Sequence, residues 1–521
     1  MKLVKILLDK VQIKTDNAEF ENSRLNDLIS ISDGEVEIVA QITSITDNDA
    51  EMQMDDNVLL EDLDQPSLKT IECSILGSVV EGRFKQQLDR YPACTGRIKK
   101  VFPMEFADMM AANHLEDKFQ LGNYVSYCVP AFVDGNKFFQ RHSCIVGNTG
   151  SGKSETVAKI LEETAGATDC NIVVFDIHGE YSNLSYVDSI KVGNDFPFPV
   201  WMLGFSDMVS NILKVKEESA TVAVSALRKA YAAICPNKNE NKPVCFSFEK
   251  LLDYMKELNV QMEGTGEFYA SGKKAGMEKM VKGDYNGKLS GIINTMESIC
   301  NDKRYSFLFM DESQMYLEWF INRIMGRTKP VKNIDLSDVP HDAAVLIIGA
   351  ITKLIYNIQL ARKDNIRPIA LVCDEAHVYI PVDFQLSASQ RRMVEIFENI
   401  AKEGRKFGIT LFVASQRPSE LNKTIMAQCA NYIVMKLNNE NDKTMMKGIM
   451  AEGSSRIIES TTMFSPGDAI IVGDCVPIPL KIHVGLAKER PCSKTINFWD
   501  EWKKETADIS YDEELTKYLS S

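Results

Sequence analysis

The chain has no C-x-x-C pair, no long uninterrupted apolar run, no internal repeat and no surplus of basic residues. Its 12 cysteines stand singly at scattered positions, so neither a disulfide framework nor a zinc ribbon is supported. Cys144, Cys170 and Cys373 lie in or beside apolar runs, where a free thiol packs as a small core residue. Six dispersed histidines argue against a histidine-rich metal site. The longest apolar stretch, Ala343 to Ala350, is far short of the roughly 18 to 20 residues that span a bilayer. The start, MKLVKILLDKVQI, is interrupted by Lys5, Asp9 and Lys10 and lacks a small-residue cleavage site. A cytoplasmic protein without signal peptide or membrane anchor is therefore expected. With 59 Lys plus Arg against 73 Asp plus Glu, the net charge is −14, which excludes a generally basic nucleic-acid-binding surface. Any DNA contact has to come from a local basic lining.

What remains is an ordinary globular composition, 45% hydrophobic and 25% charged, in 521 residues, enough for three or four domains of about 150 residues each. Residues 1–110 carry short Val- and Ile-rich segments separated by polar turns, which predict a small β-barrel or sandwich. Within it, Asp47 to Asp64 holds eight acidic residues and no basic ones: a solvated loop, or a docking surface for a basic partner. From about residue 140, apolar runs alternate with helical segments. The runs at 142–147, 171–177, 367–375, 408–415, 431–437 and 468–473 read as strands of a mostly parallel sheet buried on both faces. The expected α/β core therefore occupies 111–200 and 331–475. Residues 201–330 read as an inserted helical bundle containing a mobile Gly- and Lys-rich loop at 264–288, and 476–521 as a C-terminal arm.

The strongest motif is Gly147-Asn148-Thr149-Gly150-Ser151-Gly152-Lys153-Ser154, a full match to the phosphate loop, with a strand before it and a helix after. Glycines let the backbone curl so that N–H groups and the helix N-terminus point at phosphates. Lys153 would neutralise β- and γ-phosphate oxygens, the Ser154 hydroxyl would hold Mg²⁺, and Glu155 follows in the first helical turn. The apolar run 369–373 ends in Asp374, placed for the Mg²⁺ shell, and Glu375, placed to orient or deprotonate the attacking water. His377 either couples this site to a neighbour or is a polar helix-start residue. Gln416, at the end of strand 408–415, is either a γ-phosphate contact or a polar loop residue. Asp176 and Glu180 close the strand after the phosphate-loop helix, at the carboxyl edge where α/β sheets bind ligands. Arg405 and Arg141 are candidates for a transition-state cation, or ordinary surface arginines. Lys436, Lys443 and Lys447, with the lysines at 273–282, are either channel-lining or solvated.

Together, the phosphate loop behind Arg141-His142, Asp-Ile-His-Gly-Glu-Tyr at 176–181, Asp-Leu-Ser at 335–337, Asp-Glu-Ala-His at 374–377, Glu-Gly-Arg-Lys at 403–406 and Ser-Gln-Arg-Pro at 415–418 resemble the HerA family of the FtsK/HerA ATPases. The resemblance covers about 140 to 490, and it extends more faintly to the barrel. It implies a RecA-like P-loop ATPase core, use of ATP with Mg²⁺, a hexameric ring with ATP sites at subunit interfaces, an arginine supplied in trans, and translocation of double-stranded DNA through a central channel. It also implies a partner: a nuclease, or in bacterial antiviral defence an effector such as a sirtuin-like NADase or a nuclease, docked on the barrel ring. Two functions are open at this point. One is a DNA-translocating ATPase motor; the other is an ATP-binding ring scaffold that assembles and regulates an effector with little translocation.

Overall fold

The computed structural model describes residues 2–15, 22–34, 36–47, 69–111, 117–193, 196–215, 220–235, 242–271, 273–310, 313–362, 365–382, 386, 388–450, 457–493, 497–503 and 511–520. The acidic segment after Asp47 lies outside them. The chain forms two compact units, one of residues 1–170, 370–382 and 400–490, the other of residues 171–369, 383–399 and 491–521. These units cut across the four segments expected from the sequence.

In the first unit, an antiparallel sheet at the N-terminus comprises Lys2–Ile6, Lys10–Thr15, Lys69–Val80, Val36–Asp47, Leu28–Asp33 and Arg97–Lys100 in that spatial order, with Arg83–Lys85 paired to Lys69–Val80. Alternation explains it. Val11 and Ile13, Ile29 and Ile31, Ile38, Ala40 and Ile42, and Ile71 and Cys73 each project every second residue into one apolar cluster. No pairing closes the first strand onto the last among the described residues.

The unit's larger sheet runs Ile369–Cys373, Ile409–Ser415, Ser143–Val146, Asn431–Val434, Asp468–Gly473, Lys481–Val484, Lys118–Tyr124 and Pro130–Asp134. Ser143–Val146 is parallel to both of its neighbours. From Asn431–Val434 onward every pairing is antiparallel. The expected mostly parallel sheet is parallel where its pairings join Ile409–Ser415, Ser143–Val146 and Asn431–Val434, and it is mixed overall, since Asp468–Gly473, reached through the helix Glu440–Ile449, returns antiparallel. The parallel strands are buried along their whole length, and Phe138 and Phe412 meet beside them at 5.4 Å between ring centroids.

In the second unit, Val187–Lys191, Val331–Asp335 and Ile172–Asp176 form a parallel sheet. Its helices include Thr221–Ile234, Phe248–Val260, Ser290–Asn301, Gln314–Met325 and His341–Ala361. The last is long and apolar enough to cross a membrane, yet 12 of its 21 residues are buried within the protein, as in a core helix. The stretch expected as a mobile loop contains an antiparallel hairpin, Met262–Phe268 with Glu278–Lys282. Its strands, MEGTGEF and EKMVK, have no buried residue, so they lack the apolar alternation that marks a strand in sequence.

Candidate active site

The site is assembled where parallel strands end. In register, Val146 lies opposite Ser415 on one side and Val434 on the other, so the residues following each strand converge at one edge. There the chain turns into the phosphate loop. Gly147 N–H donates to the Ser415 carbonyl and Asn148 N–H to that of Lys436, anchoring the loop to both neighbours. A Cβ on Gly147 would stand 2.6 Å from Ser151 Oγ and 2.8 Å from Met435 Cβ, so only glycine fits. Gly152, at φ +98°, caps the helix Lys153–Ala167 in a left-handed conformation that side-chain-bearing residues avoid. Thr156 N–H is the first in the helix to find a carbonyl, that of Gly152. The N–H groups of Lys153, Ser154 and Glu155 come before that first bond and have no intrahelical acceptor, which makes this end an anion cradle.

Opposite the cradle stands a buried polar chain. Lys153 Nζ donates to Glu375 Oε1 at 2.6 Å and lies 3.9 Å from Asp374 Oδ1. Gln416 Nε2 donates to the same Glu375 oxygen at 2.6 Å, and its Oε1 accepts from the Thr149 hydroxyl of the phosphate loop. Glu375 itself sits at φ +45°, a left-handed strain of order 1–2 kcal/mol for a residue with a Cβ, held by its N–H bond to Asp374 Oδ1. Burial pushes the Glu375 carboxyl upward, but the Lys153 ammonium, with help from Gln416 and His377, outweighs it and holds the group below the usual carboxylate range. His377 Nδ1 lies 3.3 Å from Glu375 Oε2 and 3.3 Å from Ser415 Oγ, and burial keeps the imidazole below its ordinary value. His377 lies in the short helix Ala376–Val378, with its ring against the glutamate of its own chain. Glu375 Oε2 is buried, with no hydrogen bond and only the His377 ring beside it among the described residues.

These residues fit a magnesium–nucleotide. Ser154 lies in the first turn of the helix, Asp374, just past the end of its strand, is 2% exposed, and the first N–H groups of the helix have no intrahelical acceptor. The expected Lys153, Asp374, Glu375 and Gln416 are therefore brought together, with Thr149 of the loop bonded to the same string.

Other expected residues lie elsewhere. Arg141 pairs with Asp474 at 2.6 Å on the surface, and it precedes the strand whose far end carries the phosphate loop. Arg405, exposed in the short helix Gly404–Phe407, likewise precedes its strand. Between these two segments lies His142, whose Nε2 meets the Ala401 carbonyl at 3.1 Å and whose Nδ1 accepts Leu411 N–H at 2.9 Å. That pattern assigns the neutral Nε2–H tautomer.

Asp176, in the second unit, spends both oxygens on protein donors: Glu180 N–H, Tyr181 N–H and the Asn333 amide, each at 3.0 Å. Burial raises its carboxyl above the ordinary value despite these bonds. Its observed work is to hold the 177–181 turn, where Glu180 Oε2 is buried and unpartnered. Lys443 is 4% exposed and pairs with Glu440, which corrects the solvated reading for it, while Lys447 is partly exposed and pairs with Glu459. Sequence reasoning missed Arg490. Its Nε lies 3.5 Å from Glu155 Oε1 in the first turn of the phosphate-loop helix, and only its place in an extended arm, 335 residues along the chain, conceals it.

Residues 119–355 match the family model described as the central domain of the helicase HerA. A DNA double-strand break repair helicase HerA of Sulfurisphaera tokodaii is 26% identical over 378 residues, covering 71% of this chain and 70% of that protein. Its counterpart in Sulfolobus acidocaldarius is 26% identical over 436 residues, covering 82% and 80%. Among solved structures, VirB4 of Thermoanaerobacter pseudethanolicus aligns with a TM-score of 0.50 at 13% identity, over 72% of this chain and 97% of that one, a likeness of fold.

Proposed function

Because the chain belongs to the HerA family of P-loop ATPases and is an ATP hydrolase, we propose that it is a motor that spends ATP to move double-stranded DNA through a ring of six copies. The observation that carries this reading is the placement of the arginines. Arg405 precedes the strand Ile409–Ser415, whose seven residues span about 20 Å, while Gln416 and the phosphate loop lie past its far end. Arg405 therefore stands too far away to serve its own site, and a neighbouring subunit is the natural recipient of its charge. Arg141, which precedes the adjacent strand Ser143–Val146, is already tied to Asp474.

Within the site, Ser154 and Asp374 would hold Mg²⁺, which would supply positive charge to the phosphate oxygens. Lys153 leaves Glu375 for the phosphates when nucleotide binds. Glu375 then loses the cation that lowers its affinity for protons, while burial, which raises it, remains. The freed carboxylate becomes a better base for the attacking water. Gln416, tied to Thr149, carries the state of the phosphate loop to the strand Ile409–Ser415. A partner nuclease or defence effector on the N-terminal sheet, in the cytoplasm, completes the proposal.

The decisive experiment measures ATP turnover with and without duplex DNA across a salt series. DNA-stimulated turnover and steeply salt-dependent binding, with turnover lost in Lys153→Ala, are expected of a motor. Turnover indifferent to DNA but changed by a partner would replace the motor with the scaffold. Mixing Arg405→Ala with wild-type chains tests the trans role, since a cis arginine predicts loss only in proportion to the mutant fraction.

A further inference from the structure

After the strand Lys481–Val484 the chain turns back along the phosphate-loop helix Lys153–Ala167 and is strapped to it. Gly485 N–H donates to the Leu121 carbonyl at 2.9 Å, and Ala487 is buried. The Glu162 carboxylate accepts Lys488 N–H at 3.0 and 3.1 Å and Glu489 N–H at 3.4 Å. Glu155 and Glu162 are about two turns apart and share one face of the helix. The arm follows that face toward the helix N-terminus, so Arg490 arrives over the first turn, its Nε 3.5 Å from Glu155 Oε1. Its backbone neighbours are tied down, whereas its own side chain is 60% exposed.

Two anions compete for this helix end. The partial positive charge there attracts the Glu155 carboxylate and a phosphate alike, and the two repel each other. Glu155 Oε2 is buried and, among the described residues, without a hydrogen bond, so water screens its charge poorly. Lys153 is directed at the β- and γ-phosphates and Ser154 at the metal, which leaves the Glu155 N–H, one residue farther from the loop, for the α-phosphate. Arg490 is the cation that the fold brings to that place.

We propose that Arg490 is a nucleotide-contacting residue that joins Glu155 to the α-phosphate of ATP within its own chain. A guanidinium has five N–H donors in a fixed fork, so it can keep Glu155 on its Nε edge and turn its outer nitrogens to phosphate oxygens. The inference rests on the phosphate loop being the ATP site, and it assigns Arg490 a part distinct from that of Arg405.

The test titrates fluorescent ADP and ATP into the full chain without DNA. Arg490→Ala should weaken both by about tenfold, and by the same factor, because both carry the α-phosphate. In turnover, the larger share of the defect should fall on KM rather than kcat, since the bond that breaks lies between the β- and γ-phosphates. Arg490→Lys should recover part of the affinity. On a Glu155→Gln background, Arg490→Ala should still weaken ADP. A double variant that binds as wild type would mean that Arg490 only screens Glu155, which overturns the proposal. Unchanged affinity in Arg490→Ala, in a wild-type chain whose binding is lost in Lys153→Ala, would overturn it alone. Wild-type binding indifferent to Lys153→Ala would overturn the phosphate-loop reading, and this proposal with it.

Discussion

Lys153 and Glu375 form a buried ion pair, Nζ to Oε1 at 2.6 Å, with each side chain 5% exposed. The same lysine is the group that phosphate must recruit, so one cation serves two acceptors in turn. Breaking such a pair from one side leaves a charge stranded in low dielectric, which costs about 3–5 kcal/mol.

Lys153→Ala should therefore lower unfolding free energy by about 3 kcal/mol without nucleotide, whereas Lys153→Met combined with Glu375→Gln should cost less than the sum of the single changes. Urea titration checks this, and simple additivity would refute the coupling. Glu375→Gln alone should retain ATP affinity within about threefold and lose turnover by at least about 100-fold. Full turnover in that variant would remove the glutamate from its assigned role.

His142 supplies a pH test. Burial, the dominant cause, lowers its pKa from the ordinary 6.5 to about 4, with Arg405 adding to the fall and the Ala401 carbonyl opposing it. Above pH 6.5 the imidazole is neutral folded and unfolded, so its contribution is fully present. As pH falls from 6.5 toward 4, the unfolded chain takes up a proton the folded chain refuses, and stability drops by about 3 kcal/mol. His142→Gln retains a donor and an acceptor without titrating, so the difference between its stability profile and the wild type's should show this fall. Parallel profiles between pH 4 and 6.5 would contradict the assignment.

Gly152→Ala tests the cradle. A Cβ there would meet Gly467 N at 3.1 Å, on a backbone at φ +98°. The expected cost is about 1–2 kcal/mol from the left-handed conformation alone. Because the strain falls on the N–H groups that would hold phosphate, ATP affinity should drop at least tenfold in a fluorescent-nucleotide titration. Unimpaired binding would mean the loop reshapes freely.

Much of the site was legible in residue order alone. The glycine spacing at 147–152 dictates a loop because only glycine tolerates its conformations and contacts, and a five-residue apolar run ending in two acids at 374–375 dictates a strand delivering carboxylates to the sheet edge. The hairpin at 262–282 was not legible, since its glycines and lysines read as loop chemistry and its exposed strands carry no apolar alternation. The antiparallel turn of the sheet after Asn431–Val434 was equally hidden, because apolar runs look alike whichever way they pair.

Local chemistry thus singled out the candidates for binding phosphate, metal and water, since those roles follow from side-chain type and backbone freedom within a few positions. Tertiary structure decided which of them meet. It joined Lys153 to Glu375 across 222 residues and both to Gln416, and it set Arg141 and Arg405 at the opposite edge. Asp176 it occupied with its own turn, and Arg490 it carried to the first turn of the phosphate-loop helix. Strand register makes these choices, and register is fixed by burying many apolar side chains at once, a cooperative sum that no short stretch of residues contains.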